Sequence, residues 1–180
     1  MRGFDVFMKI AKRLCDARDD VVFVVVGEDR IAYGGDHRFT GGMTFKQWVL
    51  SQDDYDLNRI LFMGRVPPHQ LAQLFSLSDL DIYLTAPFVL SWSLMNALAC
   101  GATVLASDTA PVREMIRHGE NGLLFDFFDV DKAVDLASGV LDSPGDYATL
   151  RDRAKCLIES QYSLEVCLTK MLQLYQVACR

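Results

Sequence analysis

The stretch "DIYLTAPFVLSWSLMNALACGATVLAS", Asp81 to Ser107, decides the fold. It opens on "DIYLT", a short apolar run that reads as a strand. It crosses Ser91-Trp92-Ser93 and continues as an almost wholly apolar helix. Beyond Gly101 it ends in "ATVLAS", a second strand. A strand, a helix and a strand in immediate succession make a right-handed βαβ unit with parallel strands. The helix raises a question, because it begins with two serines and carries one amide, Asn96, a turn further in.

The same alternation extends both ways. "VVFVVVG", Val21 to Gly27, reads as a strand buried on both faces, since unbroken β-branched runs mark parallel sheets covered on both sides. "RILFMG" and "NGLLFD" read as further strands. "TFKQWVLSQ", "PPHQLAQLFSLS" and "APVREMIRHG" read as helices, the second with prolines suited to a first turn and the third stopped by Gly119. Between Gly27 and Met43 lies a long loop rich in glycine and charge. Three apolar stripes close the chain: Val130, Ala133, Val134, Ala137 and Val140; Tyr147, Leu150, Ala154, Leu157 and Ile158; and Leu164, Cys167, Leu168, Met171, Leu172 and Tyr175. The expected fold is α/β, an open parallel sheet flanked by helices. It forms one domain over 1–180, with C-terminal helices over 146–175.

Composition narrows the function. The 180 residues are 51% hydrophobic and 23% charged, with net charge −6 and no basic block. That argues against nucleic acid as a partner, because phosphate contacts need clustered Lys and Arg. Five cysteines, an odd number without metal spacing, read as reduced, buried thiols. A cytoplasmic protein is expected, peripheral at the inner membrane face only if a further domain outside these residues carries it there. No apolar run is long enough to span a bilayer. The chain opens on "MRGFDVFMKIAKRL", already in a helical pattern through Phe4, Phe7, Ala11 and Leu14, and reads as a piece of something longer.

Open parallel sheets bind ligands beyond the carboxyl ends of their strands. That directs attention to the loops after Gly27, Gly64, Leu84 and Ser107. If Ser91 caps its helix, the amides of Trp92, Ser93 and Leu94 stand at a positive helix end that suits a phosphate. Ser93 and Asn96 share a helix face, where a hydroxyl and an amide could grip a sugar. The alternative stays open that Ser91 is only a cap and Asn96 a satisfied buried amide. Arg2 and Gly3 precede the first helix, a second setting for phosphate, although a surface arginine is the default. Glu28 follows a strand directly and could touch a ligand; a solvated loop accounts for it equally. Asp79 and Asp81 have the spacing of some metal-binding pairs, but they lie at the amino end of a strand, the wrong end for a ligand. His37, His69 and His118 are scattered, and neither a dinucleotide fingerprint nor a P-loop is present. A dinucleotide oxidoreductase is thereby set aside.

Several segments taken in order carry a resemblance: "RGFDVFMKIAKRL", "VVFVVVGED", "ILFMGRVPPHQLAQLFSLSDLDIYL" and, most specifically, "ALACGATVLASD…PVREMI…GENGLL". Together, from Arg2 to about Tyr162, they resemble the C-terminal domain of group 1 glycosyltransferases, retaining enzymes of the GT-B fold. The resemblance implies a Rossmann-like domain that binds a nucleotide-diphosphate sugar, facing a separate acceptor domain, with no metal or other cofactor. It implies diphosphate contacts from Arg2, Gly3 and the helix start at Ser91, Trp92 and Ser93. Gly27 and Glu28 match the family's glycine loop. Gly64, Arg65 and Val66 match the loop near the base, and Glu114 matches a turn position where helix-cap packing is expected. The family's E-x₇-E motif departs here. Its first Glu aligns with Phe88 and its second, which usually holds the ribose, aligns with Asn96. A neutral amide in place of a charged acceptor would weaken donor binding by roughly 1 kcal/mol.

Two functions are thereby expected as alternatives. One is the donor-binding half of a transferase that moves a sugar from a nucleotide-diphosphate sugar to a glycan, lipid or small acceptor, inactive without its acceptor domain. The other is a catalytically lost nucleotide-sugar-binding or scaffold module. The family's domain also begins with a strand that this chain lacks, one lying between "VVFVVVG" and "DIYLT". An open slot there would leave backbone groups unpaired. The two neighbours are therefore expected to close on each other, or another chain or segment to fill the slot. Self-association through the slot is the corollary.

Overall fold

In a computed structural model, which describes residues 3–30, 35, 38–86 and 90–179, helix α1 (Phe4–Ala17) holds the molecule together. Its apolar positions fall on two adjoining stripes. Val6, Ile10 and Leu14 pack into one core cluster, and Met8 and Ala11 into another. The helix ends where Arg18 turns extended, and its final carbonyls are met from outside. The Arg59 guanidinium donates to the Cys15 carbonyl at 2.7 Å and to the Arg18 carbonyl at 2.5 Å. Arg13 and Arg18 form ion pairs with Asp131 and Asp142 on helix α6 (Val130–Asp142), which aligns the two helices.

All strand pairs are parallel, as the alternation requires, but they form two sheets. Strand β1 (Phe23–Val26) pairs with β2 (Ile60–Gly64), Phe23 opposite Ile60. Strand β3 (Asp81–Tyr83) pairs with β4 (Val104–Ser107), and β4 with β5 (Leu123–Phe125). Between β1 and β3 there is no pairing. A cavity of about 640 Å³ separates them, lined by both strands. The expectation that the neighbours would close on each other is therefore overturned. Helix α1 fixes their separation from beneath, because its two stripes are already committed to cores on either side of the slot.

The open slot changes β1 as well. The strand read as covered on both faces is covered on one only. Phe23 and Val25 pack beside α1, whereas Val22 is 63% and Val24 44% exposed. Leu61 and Met63 of β2 are exposed beside them. Helix α3 (Pro68–Leu77) does not extend over this sheet. It packs instead against α4 (Trp92–Ala99), through the cluster containing Phe75.

The three-stranded sheet carries the deeper core, and every residue of β4 is buried. On one face lie α4 and α7 (Ala148–Gln161); on the other lie α1 and α6. Along the chain, the crossover from β1 to β2 carries α2 (Phe45–Leu50), which Thr44 opens in a capping box with Gln47. Helix α5 (Ala110–Arg113) is a single turn. The turn beyond it is closed by the Asn121 side chain, which accepts from the Arg117 amide at 2.7 Å and donates to the Met115 carbonyl at 2.8 Å. The last helix, α8 (Leu164–Ala178), buries no residue, so its apolar stripe finds no core. Of the cysteines only Cys15 is buried; Cys156 and Cys179 are exposed, contrary to the expected buried thiols. Among the described residues, no helix is long and apolar enough to cross a membrane.

Candidate functional site

The carboxyl ends of the parallel strands all face one edge of the molecule, where the loops lead into helix starts. Of the residues that the sequence nominates, Gly3 and Ser93 are brought together there. Both line the carboxyl end of the slot cavity, alongside Val26 and Leu84. Gly3 precedes α1 at φ 76°, and a Cβ there would stand 2.9 Å from both the Leu84 Cβ and the Phe127 ring. The glycine lets the start of α1 lie directly against the end of β3. Arg2 and Phe88 fall outside the described residues.

The start of α4 is built by Ser91. Its hydroxyl accepts the Ser93 amide at 3.1 Å, and its carbonyl accepts the Leu94 amide at 3.1 Å. Two of the three amides expected to face a ligand are thus already engaged. The Trp92 amide is the one without an acceptor among the described residues. Trp92 itself is 77% exposed, and its indole lies on the surface next to this helix start. Asn96 is exposed, not buried. The idea of a satisfied core amide is excluded, and the side chain is available from solvent.

A second group stands at the ends of β1 and β2. The Gly27 amide donates to the Gly64 carbonyl at 2.9 Å and ties the two loops together. Glu28 and Arg65 therefore sit at neighbouring strand ends, both exposed. Glu28 accepts from Arg30 at 2.7 Å. Arg65 forms no ion pair among the described residues.

Two features of this edge escaped the sequence reading. Ser107 is fully buried at the end of β4, and its hydroxyl accepts the Thr85 amide and donates to the Thr85 carbonyl, each at 3.0 Å. It thereby continues the β3–β4 pairing beyond Tyr83 and fixes Thr85 against the end of β4. A serine ending an otherwise apolar strand was its only signal. Next to it, Asp108 receives two hydrogen bonds from Arg113, one at 2.8 Å from a terminal nitrogen. Those bonds hold the Asp108 carboxyl below the usual range. The motif "GENGLL" proves architectural. The His118 Nδ1 accepts the Leu124 amide at 2.9 Å, and a Cβ on Gly122 would meet Ile116 at 2.8 Å. Glu114 is the exposed C-cap residue of α5.

Asp81 lies at the opposite end of the slot, at the start of β3. Burial without a counter-charge pushes its carboxyl up to about 7, even though solvent reaches part of the side chain through the slot. Among the described residues, no group of three His, Cys, Asp or Glu side chains could hold a metal ion.

The family model described as "Glycosyl transferases group 1" matches residues 1–156. A curated relative, N-acetyl-alpha-D-glucosaminyl L-malate synthase of Bacillus anthracis, is 25% identical over 118 residues, which is 66% of this chain and 30% of that protein. Among solved structures, HepE of Anabaena in complex with UDP superposes with a TM-score of 0.77 at 19% identity, over 98% of this chain and 45% of that one. Sucrose-phosphate synthase of Thermosynechococcus elongatus gives 0.79 at 18%, over 98% and 42%. The C-terminal domain of the group 1 protein LpcC of Francisella tularensis gives 0.73 at 17%, over 91% and 80%. The structural likenesses establish a shared fold with GT-B Rossmann-like domains. The chain spans less than half the length of the curated relative, of HepE and of the synthase.

Proposed function

Since the chain belongs to the group 1 glycosyl transferases, we propose that it is the donor-binding half of a transferase. In this reading it holds a nucleotide-diphosphate sugar whose sugar passes, with retention, to a glycan, lipid or small acceptor. The observation that carries this is that Gly3 and Ser93, at the starts of α1 and α4, both line the one cavity. Two positive helix ends that border one cavity favour a diphosphate, each contributing about 0.3–1 kcal/mol.

The roles follow from position. Arg2 and the start of α1 neutralise one phosphate, and the Trp92 amide and Ser93 hydroxyl take the other. Asn96, one turn behind Ser93 on the same face, reaches the ribose. Arg65 and Glu28 border the base. HepE has been crystallised with UDP and with UDP-glucose, which supports a uridine donor here. The diphosphate is neutralised by an arginine and by amides, so the reading needs no metal. Transfer proceeds through charge stabilisation across a cleft, with the donor's own phosphate as base, and therefore requires an acceptor-binding wall opposite this edge. The chain alone binds donor without turning it over.

Exposed Asn96 favours the second reading, a binding module that has lost catalysis, because a neutral amide holds a ribose less firmly than a carboxylate. Calorimetric titration with UDP, GDP and ADP and a sugar conjugate of each decides. Saturable binding of the uridine compounds alone, reduced at least tenfold in Ser93→Pro, is the expected result. Tighter binding in Asn96→Glu would identify a decayed site. An absence of binding at millimolar ligand overturns the donor reading.

A further inference from the structure

Resting on the donor reading, we propose that the acceptor is a neutral carbohydrate and that its pyranose ring stacks on the indole of Trp92.

Helix α4 sets the position of that indole. Trp92 is the first residue of the helix and is 77% exposed. Side chains of a helix lean toward its amino end, so the indole reaches past the helix start rather than back along it. Asn96 lies four residues on, on the same exposed face and one turn further along the helix. Ser93, the next residue, lines the cavity, whereas Trp92 does not. With the ribose at Asn96 and a phosphate at the Trp92 amide and the Ser93 hydroxyl, the donor runs along α4 toward its start. Its sugar then lies off the end of the helix, on the side to which the indole leans. A ring that stands outside the cavity at that point meets what arrives from solvent, which is the acceptor.

The chemistry of this surface selects the kind of acceptor. An indole offers a flat face of negative π density and one N–H donor. A pyranose matches both, because one side of its ring is a set of weakly positive C–H groups and its rim carries hydroxyls. A lipid tail needs a continuous apolar patch. Trp92 provides none, since Ser91, Ser93 and Asn96 surround it on the helix. The net charge of −6 and the lack of a basic block disfavour an anionic acceptor.

The test uses the full chain, saturated with UDP, and the methyl glycosides of glucose, galactose, mannose and N-acetylglucosamine. Saturation-transfer NMR is expected to mark the ring C–H protons of at least one glycoside. Trp92→Ala should weaken binding of that glycoside by roughly fivefold, and Trp92→Phe, which keeps an aromatic face, by about twofold or less. Phe128→Ala removes a ring that is 82% exposed beyond the end of β5 and should leave the affinity unchanged. Octyl glucoside separates a sugar from a lipid, and transfer should favour its ring protons over its alkyl protons. Any of three results overturns the proposal. No glycoside is marked at millimolar concentration, or the alkyl protons are marked in preference, or Phe128→Ala costs as much affinity as Trp92→Ala. Calorimetry with UDP on the same chain keeps this failure distinct from that of the donor reading. UDP bound with every glycoside ignored removes the acceptor face and leaves the donor half standing, whereas failure of both ligands removes the two readings together.

Discussion

At the scale of single residues, the nominated positions split into those that shape the site and those that present themselves to it. Gly3 shapes it. Its φ of 76° and the 2.9 Å approach of Leu84 and Phe127 leave no room for a methyl group. Gly119 has a similar φ of 75° but nothing within 4 Å of an added Cβ. The pair separates two effects. Gly119→Ala should cost about 1 kcal/mol for the left-handed conformation alone. Gly3→Ala should cost about 3 kcal/mol, because overpacking adds to it. Urea unfolding midpoints at constant slope check both, and equal losses would show that the contact at Gly3 relaxes freely. Ser91 was legible as a cap from the sequence, since a serine before an apolar helix has few other uses. That its own hydroxyl engages the Ser93 amide was not, because the choice between capping and ligand contact depends on a rotamer.

Among the elements, strands and helices were legible from their apolar periods, and the exceptions share one cause. The "VVFVVVG" strand and the α8 stripe both have the pattern of buried elements, yet Val22, Val24 and the apolar side of α8 lie exposed. Period reports which face is apolar; whether a partner exists for that face is a property of the assembled chain. A 15-residue helix without tertiary burial is marginal. Ending the chain after Tyr162 should therefore lower the unfolding free energy by less than about 1 kcal/mol. Amides of Leu164–Ala178 should exchange far faster than those of α6, which buries Ala133, Ala137 and Val140. Protection of α8 equal to that of α6 would show that its apolar stripe is covered in solution.

At the scale of the molecule, the slot dominates, and Asp81 reports on it. The Asp81 carboxyl titrates at about 3.8 when unfolded and is pushed up to about 7 by burial when folded. Between those values the folded chain holds a proton that the unfolded chain has released. Stability due to this group is thus full below pH 4, falls as pH rises through the interval, and is lost above about 7. Asp20, Asp56 and Asp108, whose carboxyls are held down by arginines, act in the opposite sense, but they remain in any variant at position 81 and cancel in a comparison. Asp81→Asn should accordingly gain on the parent by about 2 kcal/mol between pH 4 and pH 8, less than the full shift because solvent enters the slot. A pH-independent difference between the two chains would show the carboxylate to be adequately solvated. The sequence by itself determined the order of elements, the parallel sense of their pairing and the edge at which the loops lead into helix starts. All three follow from local period and the handedness of βαβ units, which need no knowledge of distant contacts. Only the tertiary structure decided that β1 and β3 remain apart, that Asn96 faces solvent, and that Ser107 rather than a loop residue anchors the end of β3. Those outcomes depend on α1, whose two stripes are held by cores on both sides of the slot and fix the distance that the strands would otherwise close.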